Sequence, residues 1–178
     1  MLEAGDFPIR GRGIVLEPFR DEDVTPAYLG WLADPEVVRY SNQRFRTHDA
    51  DSCRHYLASF AGTDNLFLSI RRDREGDAIG TMTAYVQRPH GTADIGIMVG
   101  AREAWGRGYG QAAWDALLAR LLADPRIRKV TGGTLSCNRA MVRIMERAGM
   151  THEATRRAQE IVEGRPEDVV HYARFADH

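Results

Sequence analysis

Trp105-Gly106-Arg107-Gly108-Tyr109-Gly110 places three glycines on alternate positions, between a run that reads as a strand, Ala93-Asp94-Ile95-Gly96-Ile97-Met98-Val99, and one that reads as a helix from about Tyr109. A strand-to-helix turn of this kind presents unpaired backbone N–H groups and the positive end of a helix dipole. Glycine lets a ligand approach that backbone closely, and Arg107 adds a positive charge, so phosphate or pyrophosphate is the natural guest. Taken alone, such a triplet equally marks a tight turn. Context narrows the choice. No Gly-Lys-Ser/Thr follows, which excludes a Walker A loop, and Gln111 stands where the dinucleotide fingerprint needs a small residue.

Working outward, Gly13–Phe19 reads as a first strand, and Asp21 with Asp23 precedes a helix carrying Tyr28, Leu29, Trp31 and Leu32. Thr47 or Asp49 caps a helix to about Phe60. Residues 65–71 and 78–86 form a hairpin around the charged turn Asp73–Asp77. In the strand 93–99, which is fourth in this count, Ile95, Ile97 and Val99 alternate with Asp94, Gly96 and Met98, so its two faces differ chemically. Beyond the glycine turn, a helix carries Ala112, Ala113, Ala116, Leu117 and Leu121 to Asp124-Pro125, and residues 127–135 give a fifth strand. Asn138 caps a helix over 139–147 that Gly149 ends, and strands near 150–162 and 168–175 follow. Mixed strands and helices without a strict βαβ repeat predict an α+β layered domain.

The chain has 178 residues, enough for one core, with residues 1–12 expected as an N-terminal extension and 13–178 as a single domain. Its 24 Lys and Arg balance 25 Asp and Glu, which argues against a nucleic-acid partner and leaves any anion to be caught locally. Cys53, Cys137 and six scattered histidines match no metal-ligand spacing, so no metal is expected. With no apolar leader or span-length apolar run, the expectation is a cytoplasmic protein without a membrane partner.

Val99–Ala112 resembles the acetyl-CoA motif of the GNAT N-acetyltransferases, Q/R-x-x-G-x-G/A, with Gly108 and Gly110 on its two small positions. Trp105 replaces the Gln or Arg, a departure similar to the WGKGYG-like string of the RimJ/RimL-like branch. Asn138–Met150 resembles the family's N-x-x-S/A-x-x-x-x-E-K/R-x-G-F segment, and Tyr28–Val37 also looks RimJ/RimL-like. The resemblance spans about residues 13–175. It implies the GNAT fold, with a mostly antiparallel mixed sheet of about seven strands flanked by helices. Acetyl-CoA is the implied co-substrate, bound by Trp105, Gly106, Arg107, Gly108, Tyr109, Gly110 and Gln111 at its pyrophosphate. Val99, on a splayed fourth strand, and Asn138 would serve its pantetheine arm.

The implied chemistry is direct attack of an amine on the thioester in a ternary complex. By resemblance Asp94 is the candidate general base, a carboxylate able to draw a proton through water; a purely positioning role is the other reading. The acid that would protonate the thiolate is unassigned, because Met145 stands where many members carry Tyr. Trp31, Tyr40, Arg44 and His90 are candidates for lining the acceptor site, although Trp31 also suits the core and the polar loop residues also suit solvent. The branch implies as acceptor a protein N-terminus or a small amine, for instance a nucleotide-linked amino sugar, and a homodimer. The alternative is a non-catalytic acyl-CoA-binding or regulatory module.

Overall fold

The computed structural model describes residues 6–177. Eight strands form one sheet: β1 (Ile9–Gly11), β2 (Ile14–Pro18), β3 (Leu66–Arg72), β4 (Ala78–Gln87), β5 (Thr92–Val99), β6 (Lys129–Leu135), β7 (Thr151–Val162) and β8 (Arg165–Phe175). Their order is β1-β2-β3-β4-β5-β6-β8-β7. All neighbours are antiparallel except β5 and β6, which run parallel. The α+β expectation holds, with one strand more than the seven counted in the sequence.

The extra strand lies in the stretch expected as an extension. Ile9 is buried opposite Leu16, Phe7 packs on the core, and Asp6 pairs with Arg120. Three residues are too few to show a period of two, so β1 is recognisable only once β2 is there to receive it.

The described residues form five helices: α1 (Pro26–Ala33), α2 (Pro35–Val38), α3 (Ala50–Ala58), α4 (Tyr109–Leu122) and α5 (Arg139–Arg147). Side chains cap four of them: Thr25 on α1, Asp34 on α2, Asp49 on α3 and Asn138 on α5. α4 is the parallel crossover between β5 and β6. Its Ala113, Trp114, Leu117, Leu118 and Leu121 are buried against the sheet, each large apolar side chain contributing about 2 kcal/mol of transfer free energy. Trp114 sits so close over β6 that a Cβ on Gly132 would stand 2.7 Å from its ring.

The opposite face of the sheet carries a second cluster. Phe19, Tyr28, Leu32 and Cys53 pack with Phe67, and Met98 joins them from β5. The α1 and α3 helices therefore cover one half of this face, while β7 forms the exposed outer edge of the sheet.

Candidate active site

β5 and β6 are joined only over Thr92–Asp94 and Lys129–Thr131; beyond that rung the two strands part. On its other side β5 stays paired with β4 to its last residue, where Val99 faces Gly80. Gly100 N donates to Ile79 O, which makes Gly80 and Val99 a non-hydrogen-bonded pair. By the alternation of an antiparallel ladder, the backbone N–H and C=O of Val99, and of Ile97 two residues back, point away from β4 into the opening.

The glycine turn closes the far end of this opening. Gly106 and Gly108 both have positive φ, at 72° and 84°, and a Cβ on either would meet nothing within 4 Å. Gly108 is the N-cap of α4 and no side chain caps the helix, although it is the longest in the fold. The first intrahelical bond runs from Ala112 N to Gly108 O, so the N–H groups of Tyr109, Gly110 and Gln111 are left for an external acceptor. Arg107 is exposed on the turn and has no ion pair among the described residues. Open glycines, free N–H groups and an uncommitted guanidinium fit a diphosphate.

Asp94 stands at the other end of β5, on the face turned away from α4. It is opposite Tyr85 on β4 and Thr131 on β6, and Thr131 Oγ1 donates to Asp94 Oδ2 at 2.6 Å. Solvent reaches the carboxylate, yet the crowding of protein around it raises its pKa above the ordinary carboxylate range; the Thr131 bond and the charge of His171 oppose that rise. Tyr85 OH is 2.7 Å from Tyr56 OH on α3, and the rings of Tyr56, Phe60 and Phe67 continue the wall. Gly96 and Gly133 carry no side chain on this face; Thr83 Oγ1 stands over the first and the His171 ring over the second. A separate depression lined by Val86, Arg88, Asp124, Arg126 and Ile127 lies by the C-terminal end of α4 and takes no part in this arrangement.

A family model described as Acetyltransferase (GNAT) domain matches residues 14–151. The chain belongs to the GNAT acetyltransferase family.

Solved GNAT structures share the whole architecture. RimL, a ribosomal L7/L12 alpha-N-protein acetyltransferase in complex with coenzyme A, superposes with a TM-score of 0.82 at 17% identity, covering 96% of this chain and 97% of its own. A GNAT-family acetyltransferase from Bacillus anthracis gives 0.80 at 18%, covering 96% and 99%. A spermidine N-acetyltransferase from Vibrio cholerae, in complex with CoA and spermine, gives 0.81 at 15%, covering 92% and 96%. No curated protein matches the chain in sequence.

Within this GNAT domain, the residues singled out from sequence divide by where their side chains go. The backbone of Gly106–Gln111 forms the turn, and three side chains at it make contacts within the protein. The Trp105 indole N–H donates to Val99 O at 2.8 Å and ties the turn to the strand end. Tyr109 covers Gly13, and Gln111 Nε2 bonds Ile144 O of α5 at 3.1 Å. Asn138 accepts from Met141 N and donates one Nδ2 hydrogen to Thr134, leaving the second.

The acceptor-side residues are dispersed. Trp31 is a packing residue lying flat on Gly100, where a Cβ would be 2.2 Å from its ring. Arg44 is committed to Ser41 O, Ile161 O and Glu160, bracing the loop at Asn42–Phe45 against the tip of the β7–β8 hairpin. Tyr40 lies under Arg39. His90 is exposed on the 3-10 turn before β5, where its carbonyl accepts from Arg128 Nε, away from the glycine turn. Tyr56, Tyr85, Thr131 and His171, which sequence reading passed over, stand around Asp94 instead. The strand alternation of Tyr85, Thr131 and His171 is visible in the sequence, but the register that gathers them, and the packing that brings Tyr56 of α3 to Tyr85, is not.

Among the described residues no helix is long and apolar enough to cross a membrane.

Proposed function

We propose that this domain transfers the acetyl group of acetyl-CoA to a primary amine by direct attack in a ternary complex. The observation that carries the reading is β5 itself, which joins an open, uncapped glycine turn at Val99 to a carboxylate of raised pKa at Asp94. Five residue steps separate the two, roughly 16 Å of strand, a span suited to an extended pantetheine arm.

The N–H groups of Gly108–Gln111 and the Arg107 guanidinium would hold the pyrophosphate, and the outward amides of Ile97 and Val99 with the spare Asn138 Nδ2 hydrogen would hold the arm. Bound acetyl-CoA would supply an activated acyl group as a thioester, whose C–S bond breaks as the amide bond forms, the CoA thiolate taking its proton from solvent. Asp94 then takes the proton that the incoming ammonium must lose, directly or through one water, and its raised pKa makes it a better base than a solvated carboxylate. Thr131 orients it. The Tyr56–Tyr85 wall beside the carboxylate suits an acceptor that arrives as a cation. Structural neighbours that act on a ribosomal protein N-terminus and on spermidine bracket the acceptor classes, an exposed α-amine or a small aliphatic amine.

The test is calorimetric titration with acetyl-CoA, then free-thiol release with spermidine, an N-terminal peptide and an amino sugar nucleotide. Binding and turnover are expected; failure to bind acetyl-CoA would sink the reading.

A further inference from the structure

β4 and β5 stay paired alongside the opening, and their register sets what stands next to Asp94. Asp94 faces Tyr85; two residues toward the splayed end, on the same face, Gly96 faces Thr83. A Cβ on Gly96 would stand 3.1 Å from Thr83 Oγ1, so the hydroxyl leans across to β5, over a residue with no side chain to cover it. Diagonal neighbours in such a ladder have Cβ atoms about 7 Å apart, which puts Thr83 and Asp94 on either side of one small group lying over Gly96.

Three polar side chains nearby are committed elsewhere. Thr131 donates to the Asp94 carboxylate itself, the Tyr85 hydroxyl pairs with that of Tyr56, and Lys129 pairs with Glu153. Thr83 Oγ1 makes no hydrogen bond among the described residues, and it is not one of the buried atoms left without a partner: Thr83 is half-buried and its hydroxyl meets solvent. A hydroxyl oxygen has lone pairs to accept with, whatever its own proton does. An ammonium that gives one hydrogen to Asp94 has two more to place, and a second acceptor across from the carboxylate fixes its nitrogen over the β5 backbone. We propose that Thr83 Oγ1 is that acceptor, a substrate-contacting group that binds the incoming amine opposite Asp94 above the bare backbone of Gly96. This rests on the acetyltransferase reading above.

Two substitutions separate hydrogen bonding from packing. Thr83→Val keeps the shape and the strand preference without the hydroxyl, and Thr83→Ser keeps the hydroxyl. With spermidine and an N-terminal peptide as acceptors, Val is expected to raise the acceptor KM about tenfold while the KM for acetyl-CoA stays unchanged, and Ser to bring it back within about threefold of wild type. Calorimetric titration of the CoA complex with the same two amines is a readout that needs no turnover: the Kd should rise about tenfold in Val and recover in Ser. A Val variant equal to wild type, a Ser variant as impaired as Val, or a Val variant whose loss falls on acetyl-CoA would overturn the proposal while acetyl transfer stands. If the wild type acetylates neither amine, acetyl transfer to them fails, and an amine Kd unchanged in Val, or no binding of either amine to wild type, then overturns the binding role separately.

Discussion

The Thr131 hydroxyl donates to the Asp94 carboxylate at 2.6 Å across the last rung that joins β5 to β6. One hydrogen bond thus ties the orientation of the candidate base to the point where the sheet opens. Burial raises the Asp94 pKa and this bond lowers it, because the donor favours the ionised form. The acid limb of the kcat/KM profile should accordingly lie above the ordinary carboxylate range. In Thr131→Val it should move to still higher pH, with activity recovering on the alkaline side. A limb that moves to lower pH would contradict the assignment.

Asp94→Asn should lower kcat by about 10²–10⁴-fold while calorimetry finds acetyl-CoA affinity unchanged. Unchanged turnover removes Asp94 from the chemistry.

The same substitution should stabilise the fold. With its pKa raised in the native state, Asp94 binds its proton more tightly folded than unfolded, so its contribution to stability falls as pH rises from the unfolded to the folded value. Above that window the native state carries the full cost of ionising a crowded carboxylate. Asp94→Asn should therefore melt at a higher temperature than wild type at pH 8, with the gain vanishing below the ordinary carboxylate pKa. A lower melting temperature at pH 8 would show that the carboxylate is favourably housed.

At the glycine turn, Gly108 has φ 84° and ψ 0°, a left-handed conformation that costs any other L-residue about 1–2 kcal/mol. Gly108→Ala should weaken acetyl-CoA binding about tenfold with the circular dichroism spectrum intact. Arg107→Ala should weaken it by a similar factor and flatten its salt dependence.

Gly100 supports Trp31 where α1 crosses the end of β5, and a Cβ there would fall 2.2 Å from the indole. Gly100→Ala should cost about 1–3 kcal/mol in urea unfolding, since both the ring and the strand end are confined. A midpoint equal to wild type would mean that Trp31 can step aside.

The glycine turn, the Asn138 cap and the α4 apolar stripe were legible because each is local: spacing over a few residues states the conformation and its consequence. The acceptor face was not. The motif does not announce that Trp105 also braces the turn, because its partner, the Val99 carbonyl, becomes a neighbour only when the turn closes. Arg44 similarly meets Glu160 and Ile161 from more than a hundred positions away.

By itself the sequence determined seven of the eight strands, the open glycine turn before α4, and Asp94 on the polar face of its strand. These follow from backbone propensity and a period of two or 3.6. Only the tertiary structure decided that β5 and β6 part after Asp94 and Thr131, that Tyr85 and His171 flank that carboxylate, and that Gly133 makes room for the imidazole. Strand register is a relation between segments far apart in the chain, set by which apolar faces can be buried together, and no single segment contains it.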